Sequence, residues 1–226
     1  MNYIDGEVLY FDKPLGWTSF DLVNKIRNIL CKHLKIKKLK VGHAGTLDPL
    51  ATGVIILCTG RATKHIDELQ AQTKEYVATV RLGETTPSFD METPVDAKYS
   101  TEHITRNNVL KVLQQFIGVI EQIPPAYSAC KINGNRAYQL ARKGLNVDLK
   151  PKILVIDEIE LLNFSPCELE LRVVCSKGTY IRALARDIGK ALLSGAYLTS
   201  LVRTRIGEVT LDKCLNISNF QQSVTS

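Results

Sequence analysis

The chain has 226 residues, 45% of them hydrophobic and 23% charged, ordinary globular proportions with enough apolar material for a real core. Its 29 Lys and Arg outnumber 23 Asp and Glu, and the net charge of +6 leans mildly toward a polyanionic partner. Asp5, Glu7 and Asp12 occupy an N-terminus with no hydrophobic signal core, and every apolar run is too short for a bilayer. A soluble, cytoplasmic protein with no membrane partner is expected.

"GEVLYFDKPLGWTS" reads as a short strand that breaks at Pro14-Leu15-Gly16, with Thr18 or Ser19 placed to cap a helix. That helix, "FDLVNKIRNIL", sets Leu22, Ile26 and Ile29 on one side. Between Asp21 and Asp48 stand seven basic residues, at 25, 27, 32, 35, 37, 38 and 40, and no acid. A solvated helix face is the plain reading of such a span. An acid-free one, however, lacks the interleaved ion pairs such a face would use, so Lys35, Lys37, Lys38 and Lys40 are candidates for phosphate contact.

"VIILC" (54–58), bounded by Gly53 and Gly60, has the pattern of a strand buried on both faces. "EYVATVRL" (75–82) alternates with period two, so Tyr76, Ala78, Val80 and Leu82 share a face. "NNVLKVLQQFIGVI" (107–120) reads as one helix with Val109, Val112, Leu113, Phe116 and Ile117 on its apolar stripe. The segment 121–150, with Pro124-Pro125, "INGNR" and a short helix ending near Gly144, reads as a long polar excursion, and loops of that length are usually functional or mobile.

"ELELRVVCS" (168–176) alternates again, with Leu169, Leu171, Val173 and Cys175 inward. "KGTYIRALARDIGKAL" reads as a helix burying Ile181, Leu184, Ile188 and Leu192, with Arg182 and Arg186 lining another face. "LTSLVRTRIGEVTL" reads as a closing strand pair with basic residues at 203 and 205. Antiparallel-type strands mixed with helices give an α+β class: a mixed, largely antiparallel sheet with flanking helices, in a single domain over 1–226.

Six cysteines form no CxxC, and four histidines form no HxxxH or HExxH, so the sequence proposes neither a metal site nor a disulfide framework. "GHAGTLDPLATG" (42–53) is the stretch where glycines, hydroxyls, His43 and the single acid Asp48 crowd together. It lacks the Gly-Lys-Ser/Thr end of a P-loop and the acids of an EF-hand. Glycines at 42, 45 and 53 would let a ligand approach the backbone. Asp48 then reads either as a turn-opening Asp-Pro or as a lone nucleophile or acid/base. Tyr76, Arg182 and His43 each have an equally ordinary structural reading when taken alone.

Taken together they do not stand alone. "FDKPLGWTS", "VGHAGTLDPLATGVIILCTGRATK", "KEYVATVRLGETTPSFD", "IPPAYSACKINGNRAYQLARKG" and "CSKGTYIRALARDIG" resemble, in order and spacing, the motifs of bacterial tRNA pseudouridine synthases of the TruB type, over about residues 7 to 212. The resemblance implies the pseudouridine synthase fold and an enzyme isomerising uridine-55 in the T-loop of tRNA, by base flipping and without metal or cofactor. It implies Asp48 as the catalytic aspartate, Tyr76 as the ring packed on the target base and Arg182 as the arginine pairing with the aspartate. It further implies His43 in T-loop opening, Leu201 as an apolar contact around the flipped uracil, and Lys13 in a lysine-proline motif supporting the active-site loop. The excursion at 121–150 would be the segment that closes over RNA, and the T-arm of tRNA is the implied partner. Family members commonly carry a further C-terminal RNA-binding domain, whereas here about a dozen residues follow the last strand, so no such domain is expected, and nothing suggests an obligate dimer, so a monomer is. A non-catalytic tRNA-folding or RNA-binding module on the same fold is the alternative; an aspartate-nucleophile hydrolase would want a second acid or a metal cluster near the loop.

Overall fold

The alternating runs fold as strands and the helical runs as helices, in a computed structural model that describes residues 2–132, 134–145 and 147–225. Asn133 and Asn146, inside the 121–150 excursion, and the end residues 1 and 226 lie outside the described residues. In chain order the first strands are β1 (Val8–Lys13), β2 (Val41–His43), β3 (Ala51–Thr59), β4 (Lys74–Leu82), β5 (Glu84–Thr85), β6 (Ala97–Lys98) and β7 (Gly118–Gln122). They are followed by β8 (Lys131–Ile132), β9 (Asn135–Arg136), β10 (Lys152–Ser165), β11 (Glu168–Cys175), β12 (Ala196–Ile206) and β13 (Val209–Thr210). The helices are α1 (Ser19–His33), α2 (Ile66–Ala71), α3 (Arg106–Gln114), α4 (Ala137–Ala141), α5 (Ile181–Ala191) and α6 (Ile217–Thr225). None of them is long and apolar enough to cross a membrane. The strands pair mainly antiparallel, with β3 and β12 parallel, which makes this the mixed α+β class with flanking helices.

The chain divides into two compact units, residues 1–76 with 201–226, and residues 77–200. In the first, β3 lies between β1 and β12, with β2 also pairing on β3 and β13 on β12. Its nine residues are nearly all buried because both faces are covered. Ile55 and Leu57 pack with Leu9 and Phe11 of β1, the α1 stripe Leu22, Val23, Ile26 and Leu30, and Phe220 and Val224 of α6. Val54, Ile56 and Cys58 face the other way, with Ala44, Ile206 and Val209. Phe220 meets Phe11 edge-on, with centroids 5.1 Å apart, the favoured geometry for a ring pair.

Thr18, not Ser19, caps α1. Its hydroxyl accepts from the Asp21 amide at 3.0 Å, and the Asp21 carboxylate accepts from the Thr18 amide at 2.9 Å, a reciprocal pair that satisfies two helix-start donors. That leaves the buried Ser19 hydroxyl to turn inward.

In the second unit the strand order is β12, β4, β11, β10, β7. Ala78, Val80 and Leu82 of β4 and Leu169, Leu171, Val173 and Cys175 of β11 are buried, as the alternation requires. α5 buries Ile181, Leu184 and Ile188 and packs beside α3. Two readings of the sequence need correcting. Residues 107–120 are not one helix: α3 stops at Gln114, Gly118 has φ +97, and β7 begins there, leaving Ile117 exposed. A residue in the left-handed region cannot continue a right-handed helix, and glycine reaches it without strain. The 121–150 excursion also begins inside β7 and carries the short β8–β9 ladder ahead of α4.

Candidate active site

β2 ends at His43 and β3 starts at Ala51, so Asp48 lies in a connection from 44 to 50 whose main chain is tied down residue by residue. The Ala44 amide donates to the Ile56 carbonyl at 2.8 Å, and the Ala51 amide to the Asp48 carbonyl at 3.0 Å. Ser19 Oγ accepts from the Leu47 amide at 2.8 Å and donates to the Leu47 carbonyl at 3.1 Å. The Gly16 amide, in the turn at Pro14-Leu15-Gly16 where Gly16 takes φ 81, donates to the Pro49 carbonyl at 2.8 Å. Asp12 Oδ1 accepts from the Gly53 amide at 3.1 Å. Asp48 itself is half-buried.

Lys13 is fully buried beneath this loop. Its ammonium donates to the carbonyls of Trp17 at 2.6 Å, Pro14 at 2.9 Å and Pro49 at 3.5 Å. Burial pushes its pKa down to about 8; the Asp48 carboxylate pulls the other way, and Arg203 adds a downward push. Asp12 and Asp21 also favour the charged form. So Lys13 is a buried cation whose ammonium is held by three carbonyls, against the cost of its burial.

Arg203 is the second buried cation, 1% exposed. Its Nε donates to the Val54 carbonyl at 2.7 Å, Nη1 to Thr46 at 3.3 Å and Nη2 to Gly45 at 3.3 Å. It stands opposite Gly53 in the parallel β3–β12 register. Gly53 has φ +105, and a Cβ there would fall 2.3 Å from the Arg203 carbonyl oxygen. The close approach that Gly53 permits is therefore to β12, where the sequence suggested a ligand. His43 is half-buried; burial first, then Arg203's charge, lower its pKa below the ordinary 6.5, with the Gly45 main chain working weakly against them. Its Nδ1 is buried and makes no hydrogen bond among the described residues.

Tyr76 and Leu201 are each 8% exposed and also belong to this first unit. Leu201 pairs with Ala51, two register positions before Arg203 meets Gly53. Lys35, Lys37, Lys38 and Lys40 follow α1, all exposed and outside any ion pair among the described residues. Lys35 takes φ 54 just past the helix end.

Arg182 lies in the second unit, 4% exposed on α5. It forms an ion pair with Asp90 at 3.3 Å and donates to the carbonyls of Ser88 at 3.3 Å and Tyr127 at 3.0 Å. One turn later Arg186 donates to the Ile123 carbonyl and stacks on Phe89, 4.8 Å from the ring centre. The arginine face of α5 thus holds both the 88–90 turn and the start of the 121–150 excursion. Among the described residues no three of His, Cys, Asp and Glu come together as metal ligands would.

Residues 32–181 match the TruB family pseudouridylate synthase (N terminal domain). A protein of Phocaeicola vulgatus, tRNA pseudouridine synthase B, is 66% identical over 222 residues, 98% of this chain and 94% of its own length. The chain belongs to the TruB family. The Flavobacterium johnsoniae tRNA pseudouridine synthase B is 48% identical over 98% of this chain and 97% of its own length, whereas the 44% identical protein of Dehalococcoides mccartyi is matched over 70% of its length. A chain in the crystal structure of a Cbf5–Nop10–Gar1 complex superposes with a TM-score of 0.73 at 30% identity, covering 98% of this chain. This chain spans 55% of that one.

Three residues that hold candidate groups within their own units, Asp90 in the second and Ser19 and Arg203 in the first, were not read in that role from the sequence. Asp90 closes the quoted run "KEYVATVRLGETTPSFD", but its partner lies 92 positions away. Ser19 sits beside the true cap. Arg203 follows Leu201 by two on a strand, a spacing that places both on one face.

Proposed function

We propose that this chain isomerises uridine to pseudouridine in tRNA, acting at uridine-55 in the T-loop, with Asp48 as the catalytic carboxylate. The observation that carries the reading is the anchoring of main-chain groups on both sides of Asp48 by Lys13, Ser19 and Arg203. A module that only bound RNA would gain nothing from fixing one carboxylate so closely; a catalyst gains from holding its reactive group still.

The reaction breaks the N1–C1′ bond of uridine, turns the uracil and joins C5 to C1′; the proton that C5 carried is released and N1 takes one up in its place. No atom is added or lost overall, so water must be kept from the freed base. The carboxylate serves by attacking C1′ or C6, or by taking a proton from the sugar. The base has to leave its stack to be reached, and the Tyr76 ring and the Leu201 side chain, both of the first unit, supply an aromatic floor and an apolar wall for it. His43, kept neutral by burial and Arg203, takes part in opening the T-loop. Arg182 keeps the role that the resemblance implies, and the 121–150 excursion closes over the T-arm. The lysines at 35, 37, 38 and 40 meet phosphates. The reading treats residues 1–226 as a single, monomeric catalytic domain working without metal or cofactor.

The deciding experiment is tritium release from tRNA carrying 5-tritiated uridine, with Asp48→Asn beside the parent protein. Release by the parent and none by the variant, with tRNA still bound, is the expected result. Turnover by the Asn variant, checked for deamidation, would remove Asp48 from its role.

A further inference from the structure

We propose that Arg203 is the positioning residue that clamps the two ends of the Asp48 loop. The proposal rests on Asp48 being the catalytic carboxylate. A guanidinium carries five donors in a fixed fork. Here its hydrogen bonds go to main-chain carbonyls: Gly45 and Thr46 on the approach to Asp48, and Val54 just past the return. One rigid plane therefore ties residues 45–46 to residue 54, with Asp48 in the span between them.

The local sequence is built to admit it. Arg203 shares a face of β12 with Leu201, an inward position that an apolar side chain would fill at lower cost, since a buried charge loses its hydration. Opposite it stands Gly53, whose absent side chain is what lets the main chain of Arg203 come so close. A further cost is accepted as well: Arg203 disfavours the charged form of Lys13 and also opposes protonation of His43. Strand packing accounts for Gly53, whose contact is with main-chain atoms of residue 203, but not for a buried guanidinium. Holding the loop carbonyls from below does account for it, and Lys13 and Ser19 complete the set by taking Pro49 and Leu47.

The test compares Arg203→Met, Arg203→Lys and Asp48→Asn by single-turnover rate on saturating tRNA, by tRNA affinity and by melting temperature. A misplaced reactive group costs about a hundredfold in rate. Arg203→Met should lose rate on that scale with tRNA affinity little changed, and Arg203→Lys, which keeps the charge but not the fork, should recover part of it. A folded variant of either kind at the parent rate overturns the proposal, as does a loss confined to affinity. If neither variant folds, Arg203 serves the fold rather than the loop, and the proposal fails. Turnover by Asp48→Asn would sink the catalytic reading itself, whereas an inactive Asp48→Asn beside a fully active Arg203→Met would sink only the clamp.

Discussion

Ser19 Oγ meets both main-chain groups of Leu47, accepting from the amide at 2.8 Å and donating to the carbonyl at 3.1 Å. A single buried hydroxyl thereby replaces the strand partner that the residue before Asp48 lacks. Ser19→Ala leaves a buried donor and acceptor unpaired, which costs about 1–3 kcal/mol. For a chain of this size that is roughly 2–4 °C of melting temperature per kcal/mol. A melting temperature matching that of the parent would show that water takes over both bonds.

Lys13 titrates near pH 8, below the 10.5 of a free lysine. Between these values the unfolded chain holds a proton that the folded protein has released. Folding stability therefore gains from this group as pH rises through that window, while the cost of the buried ammonium is fully present below about pH 8. The stability difference, parent minus Lys13→Met, should rise by roughly 3 kcal/mol from pH 8 to 10.5. Denaturant unfolding across that range measures it, and a flat difference would mean that Lys13 does not titrate there.

His43 is held below its ordinary pKa of 6.5 by burial and by Arg203. Here the unfolded chain takes up a proton first, so the stability contribution is complete above about pH 6.5 and is lost as pH falls through the lowered folded value. His43→Gln should flatten the loss of melting temperature between pH 7 and 5. Equal acid sensitivity in parent and variant would count against this source.

Tyr76 has two separable jobs open to it. A stacking floor contributes on the order of 1–3 kcal/mol, which Phe preserves and Leu loses. A hydroxyl that moves a proton contributes about 10²–10⁴ in rate, which Phe loses. Tyr76→Phe should bind tRNA nearly as the parent does yet lose well over about a hundredfold in single-turnover rate. A Phe variant close to the parent rate, with Leu much slower, would leave the stacking role alone.

Lys37 and Lys38 are exposed and lack a carboxylate partner among the described residues. Exchanging both for Gln should lower the slope of log affinity for tRNA against log salt by up to roughly one unit for each phosphate left without its lysine. An unchanged slope would make these lysines a solvated surface.

Much of this protein was legible before folding because strand and helix repeats are local. The alternation in 75–82 and 168–176, the buried stripe of 181–192 and the doubly buried run at 54–58 all appear where the residue pattern puts them. β10 shows the limit of that reading. Its pairing with β11 slips between Ile156 and Glu158 and again between Leu161 and Asn163, so its alternation changes phase part-way and no single period of two runs along the strand. Asp48 stood out because a glycine-relaxed loop with one acid is a local pattern, and the motifs around it carry the family. The partners that hold it did not stand out. Arg203 reaches Val54 across 149 positions and Ser19 reaches Leu47 across 28. Which carbonyl a buried cation or hydroxyl meets depends on the strand beside it, and only the parallel pairing of β3 with β12 brings Arg203 under that loop. The sequence by itself determined which residues must be inside and which loop carries the acid; the tertiary structure decided what anchors that acid, because a buried polar group takes whatever partner folding delivers and persists only where one is delivered.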